Sequence, residues 1–407
     1  MSKLKIDIKQ IRSSFIKSIS CQFLPLLIIG WSKPLLESLP TEISSILSLA
    51  ASILFIYGYI KCWILAYQYA KYKGYPDSFG WLGILNIFGL SILFFLRNKR
   101  SINSKFSNND SFDDFSISAI FVSYLAIEIL FFPVVILGLI CIGNLEPKAV
   151  GKLLESKDFQ VIYAIPVEMF FTWYFFREMS RAKVNFKQLI GSIKKINYKL
   201  PIKLAIANYF FADGTSSTIL YGLSFVVPKY VENQINEVYA TTPLGYSFLL
   251  ISVLVFAPIM EELFFRGIIF QKLAIIKDPT QALVISALIF TVLHFRFYVI
   301  SLFVAGVTLA ILYFKTKQII VPIICHFLYN LMVAINLIYW QFFSNSDRVA
   351  QITIAKFQQD FMDNIELNIL FIALSAPYLG YFIYKNLPRN YNISQMPYFA
   401  NQKTLSE

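Results

Sequence analysis

Residues 257–267 read APIMEELFFRG, and they continue an apolar run that begins near Tyr246. Two carboxylates and a guanidinium therefore stand where the surrounding residues favour lipid. A charged side chain at membrane depth costs on the order of 2.5–3.5 kcal/mol on insertion scales, so each needs a compensating partner or a function. Glu262 and Arg266 are four apart on one helical face and are expected to pair. Glu261 is rotated about 100° from Glu262 and must face elsewhere. Pro258, three residues earlier, loosens the backbone hydrogen bonding at this point.

The chain has 2 histidines, His294 in FTVLHF and His326 in HFLYN, and both sit in apolar segments. His326 and Asn330 share a helical face. A carboxylate can take a proton from water, and an imidazole can orient that water. A histidine and a carboxamide can donate to a developing oxyanion. Taken singly, a buried His, Asn or Glu reads as hydrogen-bonded to a neighbouring helix. That reading is kept for Glu128 and Glu168, and Arg266 is most simply a counter-ion for Glu262. Taken together, Glu261, His294, His326 and Asn330 read as a hydrolytic constellation supported by Glu262 and Arg266.

Such a constellation needs a scaffold of membrane helices, and the composition supplies one. Of 407 residues, 57% are hydrophobic and 15% charged, with a mean hydropathy of +0.60; soluble domains average about 25% charged. The apolar runs are continuous rather than alternating, so helices are expected, not a barrel. Candidate segments are 19–36, 44–69, 78–97, 117–143, 159–176, 203–228, 244–265, 280–295, 297–314, 319–340 and 366–384. The expected fold is an all-α polytopic transmembrane helical bundle of roughly 8–11 membrane segments. The four cysteines, Cys21, Cys62, Cys141 and Cys325, are scattered without a CxxC, which argues against disulfides and a zinc finger. The net charge of +12 reflects basic loops rather than a nucleic-acid surface. The strongly basic 177–199 loop is expected to be cytoplasmic, with 229–242 and 341–365 outside and the C-terminus inside.

This topology creates a tension. His294 would lie ~20 Å along its helix from the cytoplasmic side, while Glu261 lies near that side. Segment 280–295 is only ~24 Å long against a ~30 Å hydrocarbon core. It is therefore expected to turn within the protein, with Arg296 lining a wet cavity.

Three stretches carry a resemblance. EELFFR matches a Glu-Glu-x-x-x-Arg motif, FTVLH a Phe-x-x-x-His motif, and HFLYN a His-x-x-x-Asn motif. In this order, on separate helices, they resemble the CAAX protease and bacteriocin-processing (Abi) family of intramembrane glutamic endopeptidases. The resemblance covers about residues 200–385, most firmly 245–335. It implies that Glu261 activates water with help from His294, that His326 and Asn330 form the oxyanion pair, and that Glu262 and Arg266 support the site. No cofactor is expected. Zinc is disfavoured, because HExxH is missing and two histidines are a thin ligand set. No GxSG or GxGD motif occurs either.

The expected organisation is an N-terminal membrane region of unassigned role, 1–196, with a polar linker near 98–116. A protease core, 197–388, and a polar tail, 389–407, follow. The expected activity is cleavage of a peptide bond near the membrane surface of a multi-pass, bacterial inner-membrane protein. The partners are membrane lipid and a peptide or membrane-protein substrate, not nucleic acid. Alternatives are a non-catalytic immunity or sequestering protein of the same fold, or a proton-coupled transporter. The transporter reading is weakened by the absence of broken helices in repeated halves.

Overall fold

The computed structural model describes residues 17, 41–72, 115, 120, 135, 146–192, 196–237, 239–294, 296, 299–342, 352–389 and 393–406. Every regular element among them is helical. The expected segments 19–36 and 78–97, almost all of 117–143 and of the 98–116 linker, and Glu128, Cys21 and Cys141 lie outside the described residues. Each of the remaining expected segments coincides with a helix. Among the described residues, six helices are long and apolar enough to cross a membrane: 49–71, 157–181, 243–275, 299–316, 320–339 and 365–386. The chain is thus an all-α, multi-pass membrane protein. Cys62 and Cys325 are both buried.

The chain divides into two compact units. The first comprises residues 1–110, 116–155 and 169–178. Its described part includes α1 (Thr41–Tyr72) and α2 (Pro147–Glu155). Helix α3 (Lys157–Arg181) contributes residues to both units. The second unit, residues 111–115, 156–168 and 179–407, holds all the motif residues. Its longest continuous part is 179–407.

In this second unit, α4 (Phe186–Ile190) is followed by α5 (Lys199–Ser224) and α6 (Pro228–Ile235). Helix α5 is long, yet it is not among the six apolar spans, because Asn208, Asp213 and a Thr-Ser-Ser-Thr run dilute it. Its hydroxyls turn inward on the helix. Thr215 and Thr218 donate to the carbonyls of Phe211 and Gly214, four residues back, which removes their demand for water.

Helix α7 follows as one continuous rod with a changing pitch. It runs α-helical over Pro243–Ile251, π-helical over Ser252–Phe256, α-helical over Ala257–Glu261, π-helical over Glu262–Phe270, and α-helical over Gln271–Ile276. Its start is pinned by Asp158, which accepts from the backbone of Thr241 and Thr242. Asp278 then caps α8 (Pro279–Val292), accepting from Thr280 and Gln281, with Pro279 in the first turn. Helices α9 (Val299–Thr316), α10 (Ile320–Phe342), α11 (Ile354–Asp363) and α12 (Ile365–Asn386) complete the bundle. Helix α5 packs on α9, α10 and α12, and α8 packs between α7 and α9.

The C-terminal stretch expected as a polar tail carries α13 (Pro397–Ser406). Asn401 donates to the carbonyls of Gln188 and Lys317, and the Tyr398 hydroxyl accepts from the Asn185 amide. Burial of Met396, Tyr398 and Asn401 is what folds this end onto α4.

Candidate active site

Glu261 closes the α-helical turn at the centre of α7, and Glu262 opens the π segment after it. A π turn spreads successive carbonyls and widens the helix, a feature common at functional sites. It also fits Pro258. The Ala257 N–H reaches back five residues to the Ser252 carbonyl. The next donor in that register would be residue 258, which as proline has none. The acceptor left over is the Val253 carbonyl. Asn330 on α10 fills the gap, its Nδ2 donating to the Val253 oxygen at 2.8 Å.

The expected Glu262–Arg266 pair is present. Arg266 Nη1 donates to Glu262 Oε1 at 2.8 Å, and both side chains are fully buried. Arg266 Nη2 also donates to the Gly306 carbonyl at 3.2 Å. The guanidinium lies over the Phe290 ring, 4.5 Å from its centre. Glu262 Oε1 takes a second partner, His326 Nδ1, at 2.9 Å. Glu262 therefore does more than neutralise an arginine, since it orients an imidazole on another helix.

His294 is fixed by its own helix. Its Nδ1 lies 2.7 Å from the Phe290 carbonyl, four residues back. A carbonyl only accepts, so Nδ1 carries the proton and Nε2 faces outward. Both Nε2 atoms converge on one oxygen: Glu261 Oε2 is 3.9 Å from His294 Nε2 and 4.0 Å from His326 Nε2. These separations are too long for direct hydrogen bonds and suit a bridging water. Glu261 Oε2 is buried and has no hydrogen-bond partner. The Glu261 and His294 side chains are 29% and 30% exposed, against 8% for His326, so access comes from the Glu261–His294 side.

The expected tension over depth disappears, and its premise is corrected. The helix expected over 244–265 extends further, because α7 continues to Ile276. Glu261 precedes Ile276 by as many residues as His294 follows Pro279. Both therefore stand roughly 20 Å from the turn that joins α7 and α8. Arg296, expected beside a cavity, is tied to another segment. Its Nη1 bonds Gln234 at 2.5 Å and Glu237 at 3.0 Å, so the end of α8 reaches the 229–242 segment. Helix α8 runs this whole distance and still brings His294 to Glu261. Glu168 accepts a hydrogen bond from the Ser252 hydroxyl of the first π segment, as a helix-bridging acid.

Phe290 is the residue whose importance the spacing understates. Its carbonyl sets the His294 tautomer, and its ring centre lies 4.4 Å from that of His294 and 6.3 Å from that of His326. Its place four residues before His294 was the available signal. Gly306 permits the close approach of α8 and α9, since a Cβ there would meet Ala287 at 3.2 Å and Phe290 at 3.3 Å. Asp213 on α5 is a further acid of the bundle that no motif marks. Among the described residues, no group of three His, Cys, Asp or Glu is arranged to hold a metal ion.

The arrangement can polarise a water between a carboxylate and two imidazoles, beside a buried ionic support. Residues 243–332 match the family described as "Type II CAAX prenyl endopeptidase Rce1-like", and this range contains every motif residue above. The chain is also similar to a Bacillus subtilis (strain 168) protein named "Putative membrane peptidase YdiL", at 35% identity over 155 residues. That match covers 37% of this chain and 62% of the relative, so the chain spans less than two thirds of the curated relative's length. No solved structure matches the chain.

Proposed function

Through residues 243–332 the chain belongs to the CAAX protease and bacteriocin-processing family, and we propose that it hydrolyses a peptide bond with a water activated by Glu261. The observation that carries this reading is the partnerless, buried Glu261 Oε2 set between the Nε2 atoms of His294 and His326. A water there gives its proton to Glu261 while His294 Nε2 orients it. The resulting hydroxide attacks the scissile carbonyl. The tetrahedral oxyanion takes hydrogen bonds from His326 Nε2–H, when that ring carries both protons, and from the second amide hydrogen of Asn330. Glu261 then returns the proton to the leaving amine. Glu262 and Arg266 act through His326, fixing its ring by the bond at Nδ1.

The substrate class is a membrane-associated peptide or membrane-protein segment, cleaved near the surface of a bacterial cell membrane. The relative's name as a membrane peptidase supports this class. The test compares peptides released by membranes holding the native protein or Glu261→Gln, with helicity and detergent-stable yield measured on both. Release should vanish in Glu261→Gln, because an amide cannot accept the proton, and should survive EDTA. Undiminished release by the variant would refute the role of Glu261. Loss with EDTA, restored by zinc, would replace the glutamate mechanism with a metal held by Glu261, His294 and His326.

A further inference from the structure

A groove of about 360 Å³ runs between α5 and α12, away from the residues of the Glu261 site. Its walls are Ile206, Ala207 and Phe210 on α5 and Leu370, Phe371 and Leu374 on α12, and Lys203 and Tyr378 also border it. The two helices run antiparallel in a readable register. The Phe210 ring packs tilted against that of Phe371 with centres 4.6 Å apart, and Gly214 abuts Asn368 and Ile372. The same register brings Lys203 level with Tyr378 and Lys199 level with Phe382, at one end of the groove. The apolar length from Lys203 to Phe210 is about 10 Å of helix rise.

The Lys203 end has the marks of a membrane–water boundary. Helix α5 begins at Lys199, and Tyr198, Tyr381 and Tyr384 are exposed there. Lys385 lies over Tyr381 and Arg389 over Tyr384. Exposed tyrosines with basic neighbours are how helix ends anchor at headgroup level. Lys199 and Lys203 lie one turn apart on α5 and are both exposed, and neither has an ion pair with a described residue. Two lysines at the interface, with an apolar channel leading from them into the membrane, complement one kind of molecule: an anion attached to a hydrocarbon chain.

We propose that this groove is a binding site for an anionic phospholipid, its phosphate on Lys199 and Lys203 and one acyl chain between α5 and α12. The inference is independent of the catalytic reading, because none of these residues belongs to the Glu261 site. Lipid-facing crevices fill with whatever chain is nearby; it is the charge at the mouth that makes this one selective. An interfacial lysine contributes roughly a fivefold preference for an anionic surface lipid, so the pair should give about 25-fold.

The test is native mass spectrometry of the full chain in detergent, titrated with phosphatidylglycerol or with phosphatidylcholine of the same chains. The native protein should retain one phosphatidylglycerol with a preference of order tenfold or more over phosphatidylcholine. Lys199→Gln/Lys203→Gln should abolish the preference, and Ala207→Phe, which fills the groove, should lower retention of both lipids. The double lysine variant lies on the surface and keeps the test open if Ala207→Phe fails to fold. Equal retention of the two lipids by the native protein would overturn the proposal, as would an unchanged preference in the lysine variant. Displacement of the lipid by millimolar inorganic phosphate would reduce the site to an anion patch and overturn the acyl-chain assignment.

Discussion

Replacing Asn330 by alanine should damage two properties at once, and Pro258 allows them to be separated. The Asn330 amide supplies the donor that Pro258 denies to the Val253 carbonyl. Truncation strands that carbonyl inside an apolar bundle, at a cost of about 1–3 kcal/mol. If the remaining amide hydrogen also serves an oxyanion, its loss lowers turnover by about 10²–10³-fold. Pro258→Ala restores a backbone N–H five residues after Val253, in the register of the π turn. In that background Asn330→Ala should cost much less stability than in the native chain, a coupling of about 0.5–3 kcal/mol. The turnover defect should persist, because the restored N–H points along α7 rather than at substrate. The assay is a double-mutant cycle, with thermal midpoint in detergent and peptide release measured on all four proteins. Strictly additive stability costs would refute the carbonyl pairing. Recovery of full turnover in the double variant would show that Asn330 only positions α7 and donates nothing to the reaction.

Arg266→Ala should lower detergent-stable yield more sharply than Glu261→Gln, since breaking a buried pair costs about 3–5 kcal/mol; equal yields would count against a structural role for the pair. Gly306→Ala should reduce turnover by shifting Phe290, with Ala287→Gly in the same chain recovering part of the loss. No effect of Gly306→Ala on either activity or stability would contradict the close approach seen there. Burial pushes Lys317 down to about 8 from its ordinary 10.5, so its charged form is penalised in the folded protein. The unfolded chain then binds more protons between these values, and the Lys317 contribution to stability rises as pH climbs from about 8 to 10.5. Lys317→Gln should flatten that rise in thermal midpoint, and an unchanged slope would refute the burial. Labelling of a cysteine introduced at Lys187 should occur only from the cytoplasmic side, following the basic 177–199 loop; labelling from outside would invert the topology.

Much of the site is readable from spacing because it rests on local geometry. The Glu262–Arg266 contact follows from four-residue periodicity, and so does the common face of His326 and Asn330. Pro258 announces a disturbed helix, but the sequence does not say which carbonyl is freed or what satisfies it, since Asn330 is 77 residues from Val253. The His326–Glu262 bond spans 64 residues and depends on how α7 and α10 pack, which no periodicity encodes. The end of α7 is not legible in the sequence, because Arg266, Gln271 and Lys272 interrupt the apolar run. In the folded chain Arg266 and Gln271 are buried, and Lys272 donates to the Phe115 carbonyl, so the helix continues. The longer π segment leaves no mark in residue spacing, because every residue from Glu262 to Phe270 is buried and no exposed face reveals a period.

The equal arms of the α7–α8 hairpin make residue count a functional quantity. Glu261 and His294 meet because as many residues separate each from its own end of the turn, so the hairpin works as a pair of calipers. One residue added to α8 between Pro279 and His294 would turn the imidazole by about 100° and move it by about 1.5 Å. A residue added at Lys277 instead lengthens only the hinge. Homologues of this chain should therefore vary freely in length at that hinge, and change the two arms only by whole turns or in matched pairs.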